Sequence, residues 1–286
     1  MAERQDEHII EAIGKARIVI RDGSVVEVGQ AIITDCPLAK RFAYPIPEMN
    51  PDTIRENIQH RIKAFGMCTP DRTVTDDREF VGFGASEILS FALKADLIDC
   101  AVLACDGAGT VIATTPGMVQ GIGGRMSGLV STVPYDSVIR RIKEGGGIVL
   151  DQETGRIDQQ AGVQLAADAG YRRIAVTIAR SDDATAIRKK HPDALIISVH
   201  TTGCSQEEAE EIVNNADLTT GCASASIREA AGNKALVQAG VSVPVFAMTS
   251  RGKDLLIEKI RRSNDPVLIK QTSLPAIGGT QPHPLI

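Results

Sequence analysis

Strand-like and helix-like segments alternate steadily from Leu97 onward, and this alternation constrains the fold most strongly. Each short β-branched or apolar run is followed by a segment whose apolar residues have helical spacing. Such repetition is typical of right-handed strand–helix–strand crossovers and a largely parallel sheet. The predicted strands are Ile98–Ala104, Gly147–Leu150, Arg173–Ile178, Ala194–Val199, Asp217–Thr220 and Val243–Met248, and the predicted helices are Tyr135–Lys143, Asp158–Ala169, Ala184–Lys190, Gln206–Asn215, Ala225–Gln238 and Gly252–Arg262.

The first 90 residues have a different pattern. Two β-branched runs over residues 16–29 flank Asp22-Gly23, a pair that favours a tight hairpin turn. Asn50 and Pro51 predict the start of a helix that Gly66 ends. We therefore predict an α/β fold, with a mostly parallel sheet and flanking helices in residues 91–286 and a small hairpin-and-helix portion in residues 1–90. Because no flexible linker separates the two portions, a single domain is also consistent with the sequence.

The composition excludes several classes of partner. The net charge is −5 and aromatic residues make up 3% of the chain, so we expect no nucleic-acid partner. No apolar run reaches the roughly 20 residues of a membrane helix, so we expect no membrane partner. The N-terminal stretch MAERQDEHII is acidic and polar, unlike a signal peptide. We therefore expect a cytoplasmic protein with reduced thiols.

Polar residues gather where the predicted strands end, and this is where open parallel sheets bind ligands. Cys105 and Asp106 follow the first strand of the alternating region, and His200 follows the predicted strand that ends at Val199. A thiol, a carboxylate and an imidazole could carry out proton transfer or covalent chemistry. We take Cys105, Asp106 and His200 as the candidate catalytic residues. The alternatives are a small buried thiol and a histidine that makes a structural hydrogen bond.

Glycines crowd the segment that runs from Cys105 to Gly128, and backbone amides in such a segment can face an anion. The spacing matches neither the dinucleotide fingerprint nor the phosphate loop of nucleotide-binding proteins. A site for a small anionic ligand and glycines that serve tight turns and close packing are both consistent with the segment. The candidate anion-binding residues are Gly107, Gly109, Gly121, Gly123, Gly124, Arg125, Thr201, Thr202 and Gly203.

The cysteines allow a different interpretation. Soft thiolates suit zinc and iron–sulfur centres, and a cysteine followed by proline occurs at some iron–sulfur ligands. The spacings are long and irregular, and no pair has the Cys-x-x-Cys pattern. Cys100, inside a predicted strand, is expected in the core. The candidate metal ligands are Cys36, Cys68, Cys204 and Cys222.

Several phrases together resemble the methanogenesis marker 8 family of methane-producing archaea. They are EHIIEAIGKARIVI, ENIQHRIKAFGMCTPDR, VGFGASEIL, CDGAGTVI, VQGIGGRMSGL, IDQQAGV, VHTTG and ADLTTGCAS. The resemblance implies an archaeal, cytosolic accessory protein linked to methanogenesis, with a role in the maturation of methyl-coenzyme M reductase or its cofactors. It carries over no catalytic residue and names no cofactor.

Three functional hypotheses follow from these observations. The leading one is an accessory enzyme that acts on an anionic small molecule or cofactor precursor. The second is a metal- or iron–sulfur-binding assembly factor. The third is a non-catalytic protein partner of a larger enzyme in the methanogenesis machinery.

Overall fold

The computed structural model describes residues 6–79, 81–126 and 128–286, so the start of the N-terminal stretch and Ser127 of the glycine-rich segment lie outside it. The described strands are β1 Glu7–Ala12, β2 Ala16–Arg21, β3 Ser24–Val28, β4 Cys100–Cys105, β5 Gly109–Ala113, β6 Leu129–Ser131, β7 Ile148–Val149, β8 Ile174–Ile178, β9 Leu195–Ser198, β10 Leu218–Thr220, β11 Val237–Ala239 and β12 Val245–Ala247. The described α-helices are α1 Pro51–Phe65, α2 Ala85–Lys94, α3 Pro116–Ile122, α4 Asp136–Glu144, α5 Gln159–Asp168, α6 Ser181–Lys190, α7 Gln206–Asn215, α8 Ala225–Gly232 and α9 Ser250–Arg262.

The larger sheet has eight strands in the order β11-β12-β10-β9-β8-β4-β5-β7. Its centre, β10-β9-β8-β4, is parallel, as the alternation of strands and helices predicts. The sheet as a whole is mixed, so the prediction of a mostly parallel sheet is wrong in this respect. The short turn after β4 returns the chain as antiparallel β5, and β12 pairs antiparallel with both β10 and β11. The short connections from β4 to β5 and from β11 to β12 can join only antiparallel strands.

Helices cover both faces of the larger sheet. One face packs against α2, α3, α4 and α9 around a core that includes Leu89, Leu103 and Ile142. The other face packs against α5, α6, α7 and α8 around a second core that includes Val176 and Phe246. This arrangement gives three layers, with the sheet buried between two helical layers.

The smaller sheet has four antiparallel strands in the order β3-β2-β1-β6. The predicted hairpin is β2–β3, and its turn residues Asp22 and Gly23 have φ of +48° and +67°, as a tight hairpin turn requires. Helix α1 begins after Asn50, whose side chain accepts hydrogen bonds from the amides of Asp52 and Thr53, and it ends at the left-handed Gly66.

The N-terminal portion does not close without residues from later in the chain. Strand β6 forms one edge of its sheet, and Met126 belongs to its core together with Ile10 and Ile58. The division at residue 90 therefore stays a prediction.

One predicted helix is wrong at its C-terminal end. We predict a helix over Ala225–Gln238, whereas α8 ends at Gly232. Residues Val237–Ala239 instead form β11, because they pair with β12. In the described residues, no helix is both long and apolar enough to cross a membrane.

Candidate active site

The parallel strands β4, β8, β9 and β10 end at one edge of the larger sheet, and the N-terminal sheet lies against this edge. The contacts include the approach of the Glu11 carboxylate to His200 Nε2, at 3.5 Å. The Lys15 ammonium also donates a hydrogen bond to the Thr202 carbonyl at 2.6 Å. The expected ligand-binding edge is therefore an interface between the two sheets.

His200 follows β9 and occupies the left-handed backbone region, with φ of +58°. Its Nε2 atom lies 3.5 Å from Oε2 of Glu11, and its side chain is 20% exposed. Burial lowers the pKa of His200, and the Glu11 carboxylate partly opposes this shift. Non-glycine residues in this backbone region cluster at functional sites. The local geometry is thus suited to a neutral imidazole beside a carboxylate.

Lys15 brings a positive charge to the same place. It lies in the turn between β1 and β2, and it is near enough to His200 to lower the pKa of that imidazole. A Cβ at Gly203 would lie 3.0 Å from Lys15 Nζ, so the loop after β9 approaches the ammonium closely. Within the described residues, no carboxylate forms an ion pair with Lys15. The charge is therefore available to an anionic ligand.

The remaining residues of this loop connect it to the next strand end. Thr201 donates a hydrogen bond to the Thr220 carbonyl at 2.8 Å, and Thr202 Oγ1 accepts one from the Ala223 amide at 3.2 Å. These bonds fix the loop that carries His200 against the loop after β10.

Asp106 lies in a separate, fully buried ion pair. Its Oδ1 atom is 2.8 Å from Nε of Arg72, and its Oδ2 atom accepts the Cys68 amide at 2.6 Å. Neither Asp106 nor Arg72 has any exposed side-chain surface. The partners of Asp106 are therefore Arg72 and the Cys68 amide, whereas the carboxylate beside His200 is that of Glu11. The structure shows no contact between Asp106 and His200 among the described residues.

Cys105 is buried at the end of β4, and its thiol donates to the Asp106 carbonyl at 3.4 Å. Burial raises the pKa of this thiol to about 12. Because the thiolate is the nucleophile, the geometry favours the alternative of a small buried side chain.

The glycine-rich segment uses its backbone amides within the protein. The amides of Gly123 and Gly124 donate to the carbonyls of α3, and the Gly107 amide donates to Thr132 Oγ1 at 2.8 Å. A Cβ at Gly121 would lie only 2.5 Å from the backbone of Thr75. These contacts favour the packing interpretation. Gly109 belongs to β5, where a Cβ would collide with the Gly155 carbonyl.

Arg125, the predicted anion-binding side chain, pairs with the carboxylate of Asp76 and lies over the ring of Phe65 at 5.1 Å. At Gly128, φ is +72° and a Cβ would collide with the Glu11 carbonyl and lie 2.7 Å from His200. This glycine lets β1 and His200 approach each other.

The four candidate metal ligands do not share one place, although Cys36 lies near enough to Cys222 for that thiol, when ionised, to raise the pKa of Cys36. Cys68 lies beside Asp106, while the Cys204 thiol contacts Ser224 Oγ at 3.4 Å and the Cys222 thiol contacts Thr220 Oγ1 at 3.4 Å. Among the residues that the structure describes, no three His, Cys, Asp or Glu side chains gather as a metal site. The geometry therefore lends the metal hypothesis no support.

Sequence reasoning missed Glu11 and Lys15, and it also missed a buried network around His8. The ring of His8 contacts Thr132 Oγ1 at 2.7 Å and the Tyr135 hydroxyl at 2.8 Å, and that hydroxyl donates to Asp6. The available signal for Glu11 and Lys15 was weak: two opposite charges on either side of Gly14, a residue that favours a turn.

Comparisons with known proteins agree over nearly the whole chain. Residues 8–261 match the model of a family described as "Uncharacterized protein conserved in archaea (DUF2099)". The chain is also 43% identical over 284 residues to an uncharacterized protein of Methanocaldococcus jannaschii, covering 98% of this chain and 100% of that protein.

Proposed function

We propose that this chain, which belongs to the DUF2099 family of archaeal proteins, is an enzyme that catalyses a proton transfer in an anionic small molecule. The proposal rests on one observation: His200, in the left-handed region at a strand end, lies 3.5 Å from the Glu11 carboxylate, and the Lys15 ammonium reaches the same loop at the Thr202 carbonyl.

Each of the three residues has a distinct role in this proposal. The lowered pKa keeps the His200 imidazole neutral near pH 7, so it can accept a proton from the substrate. Glu11 orients the ring and stabilises the imidazolium that forms. Lys15 pairs with the anionic group and holds the substrate next to the base. Asp106 and Arg72 have a structural role in this proposal, because their buried ion pair holds the loop that carries Cys68.

The cellular setting that we propose comes from the resemblance to the methanogenesis marker 8 family. In that setting the enzyme is a cytoplasmic accessory protein, and its substrate is an anionic precursor used in the maturation of methyl-coenzyme M reductase or its cofactors. The archaeal family and its Methanocaldococcus relative are consistent with this setting.

The test uses an archaeal host that lacks its own copy of this gene. We expect the intact chain to restore function, and we expect His200→Gln and Lys15→Met to fail although both proteins accumulate in folded form. Mass spectrometry of the failing strains should show accumulation of an anionic metabolite. His60→Gln, on the exposed surface of α1, is the matched control and should restore function. Full function in His200→Gln would refute the catalytic role.

A second function, that of a partner to a larger enzyme, is favoured by the segment after α9. Leu268 is 90% exposed and Ile269 is 78% exposed, and neighbouring exposed apolar side chains are typical of interaction sites. Purification from the native host should then recover a partner with the intact chain and lose it with Leu268→Asp. Recovery of the same proteins with both chains would exclude this surface as the binding site.

A further inference from the structure

Arg228 of α8 is a buried cation without a counter-charge in the described part of the chain. It is 6% exposed, and no described carboxylate forms an ion pair with it. One terminal nitrogen donates to the carbonyls of Cys222 at 2.7 Å and Ser242 at 2.9 Å, and the other donates to Oε1 of Gln281 at 2.8 Å. Its Nε atom is buried and has no acceptor among the described residues.

Gln281 belongs to the C-terminal tail, and its amide nitrogen is a second unsatisfied donor at this place. Nε2 of Gln281 is buried and has no acceptor among the described residues. The tail is held in place by backbone hydrogen bonds between Ile286 and both Ala223 and Ala225, at 2.9 and 2.8 Å. The two unsatisfied donors therefore lie on segments that the fold fixes.

Two thiols lie near the same guanidinium. Burial lowers the pKa of Arg228, and the thiols of Cys222 and Cys36 oppose that shift when ionised. Cys36 comes from the segment before α1, and burial raises the pKa of its thiol. The surroundings of Arg228 are thus assembled from three distant parts of the sequence, each of which contributes a polar group.

We propose that Arg228 and Gln281 bind a buried oxyanion, either a free ion or the carboxylate or phosphate group of a larger ligand. Burying an unpaired charge is costly, and leaving a donor unsatisfied in the interior adds to that cost. An oxyanion that accepts a hydrogen bond from the guanidinium Nε through one oxygen neutralises the charge, and a second oxygen of the same group would accept from the amide Nε2 of Gln281. This anion site is distinct from the proton-transfer site, and its existence does not depend on the proposed function.

The decisive variant is Gln281→Glu, which places a carboxylate next to the guanidinium within the chain. In the absence of added anion, we expect this variant to have a higher Tm than the intact protein, because it supplies the missing counter-charge. Gln59→Glu makes the same change of charge on the exposed face of α1 and should leave the Tm unchanged.

The binding arm measures Tm and calorimetric binding with inorganic phosphate and, separately, with acetate at constant ionic strength. The Tm of the intact chain and of Gln59→Glu should rise by a few degrees for each tenfold increase in the concentration of the anion that binds. Gln281→Glu should lose this response, and Arg228→Lys should bind at least tenfold more weakly. A response to phosphate alone would assign the site to phosphate groups, and a response to acetate would assign it to carboxylates.

Two outcomes would overturn the proposal. One is the absence of binding for both anions to the intact chain. The other is anion binding that persists unchanged in Gln281→Glu. His200→Gln and Lys15→Met should retain the response, so failure of the proton-transfer hypothesis and failure of this one are distinguishable.

Discussion

At the scale of single residues, the first prediction concerns the structural role of Asp106 in its ion pair with Arg72. Both side chains are fully buried, and removing one partner leaves the other charge uncompensated. Asp106→Asn should therefore reduce the free energy of unfolding by about 3–5 kcal/mol, as measured by denaturant titration. Asp182→Asn, which removes the carboxylate of the exposed pair with Arg180, should leave stability nearly unchanged. A stable Asp106→Asn protein that has lost function would return Asp106 to the catalytic residues.

A second prediction at this scale concerns hydroxyl groups. Thr219 Oγ1 is buried and has no hydrogen-bond partner among the described residues. Thr110 Oγ1 is equally buried, but it donates to Gln159 at 2.8 Å and accepts the Asp158 amide at 2.8 Å. Thr219→Val should leave the free energy of unfolding unchanged or increase it, whereas Thr110→Val should reduce it by about 1–3 kcal/mol. Equal losses in the two variants would show that Thr219 has a partner.

At the scale of elements, β1 couples folding to pH through His8. Burial lowers the pKa of His8, and the carboxylates of Asp106 and Asp6 partly oppose the shift. His8 binds a proton more tightly in the unfolded chain than in the folded one. The neutral ring therefore makes its full contribution to stability above the unfolded pKa of 6.5. This contribution is lost as the pH falls through the window below that value.

His8→Gln should therefore lose less unfolding free energy than the intact chain between about pH 7.5 and about pH 5. Chemical denaturation at both pH values gives this difference, and contributions from other groups cancel in the comparison. His60→Gln changes an exposed histidine and should behave like the intact chain. The same pH dependence in His8→Gln and the intact chain would contradict the assignment.

The elements that the sequence predicted are those with strong local signals. Helix α7 has the predicted bounds Gln206–Asn215, because Ser205 and Glu208 form a capping box that the structure contains. The missed strands β6 and β11 have three residues each, and β6 pairs with β1, which is distant in the sequence. Strands β1 and β5 pair with their neighbours β2 and β4 across short turns that the sequence analysis did not recognise as hairpins. Strand formation depends on such pairing more than on local propensity.

The residues of the candidate sites also differ in whether a local signal in the sequence predicts them. His200 was found because a residue after a predicted parallel strand has a defined place at the sheet edge. Lys15 was missed because its contact with Thr202 joins residues 187 positions apart. Arg228 was also missed, because an uncompensated charge becomes visible only when its burial and its partners are known.

At the scale of the whole molecule, segments from distant parts of the sequence meet at the carboxyl edge of the parallel strands. The N-terminal sheet covers His200, and the C-terminal tail covers the loop after β10. The segment before α1 meets the tail, because Asp35 and His283 form an isolated bridge. The candidate sites are therefore formed by the completed fold, and neither can exist in a fragment that lacks one of these segments.

This dependence predicts the behaviour of the N-terminal portion alone. A fragment of residues 1–90 lacks β6, which pairs with β1, and it also lacks Met126 from the core around Ile10 and Ile58. The exposed edge of β1 and the incomplete core leave too little buried apolar surface to offset chain entropy. We expect little strand signal in circular dichroism and no cooperative thermal transition, whereas the full chain should melt cooperatively under the same conditions. A cooperative transition in the fragment would establish residues 1–90 as an independent domain.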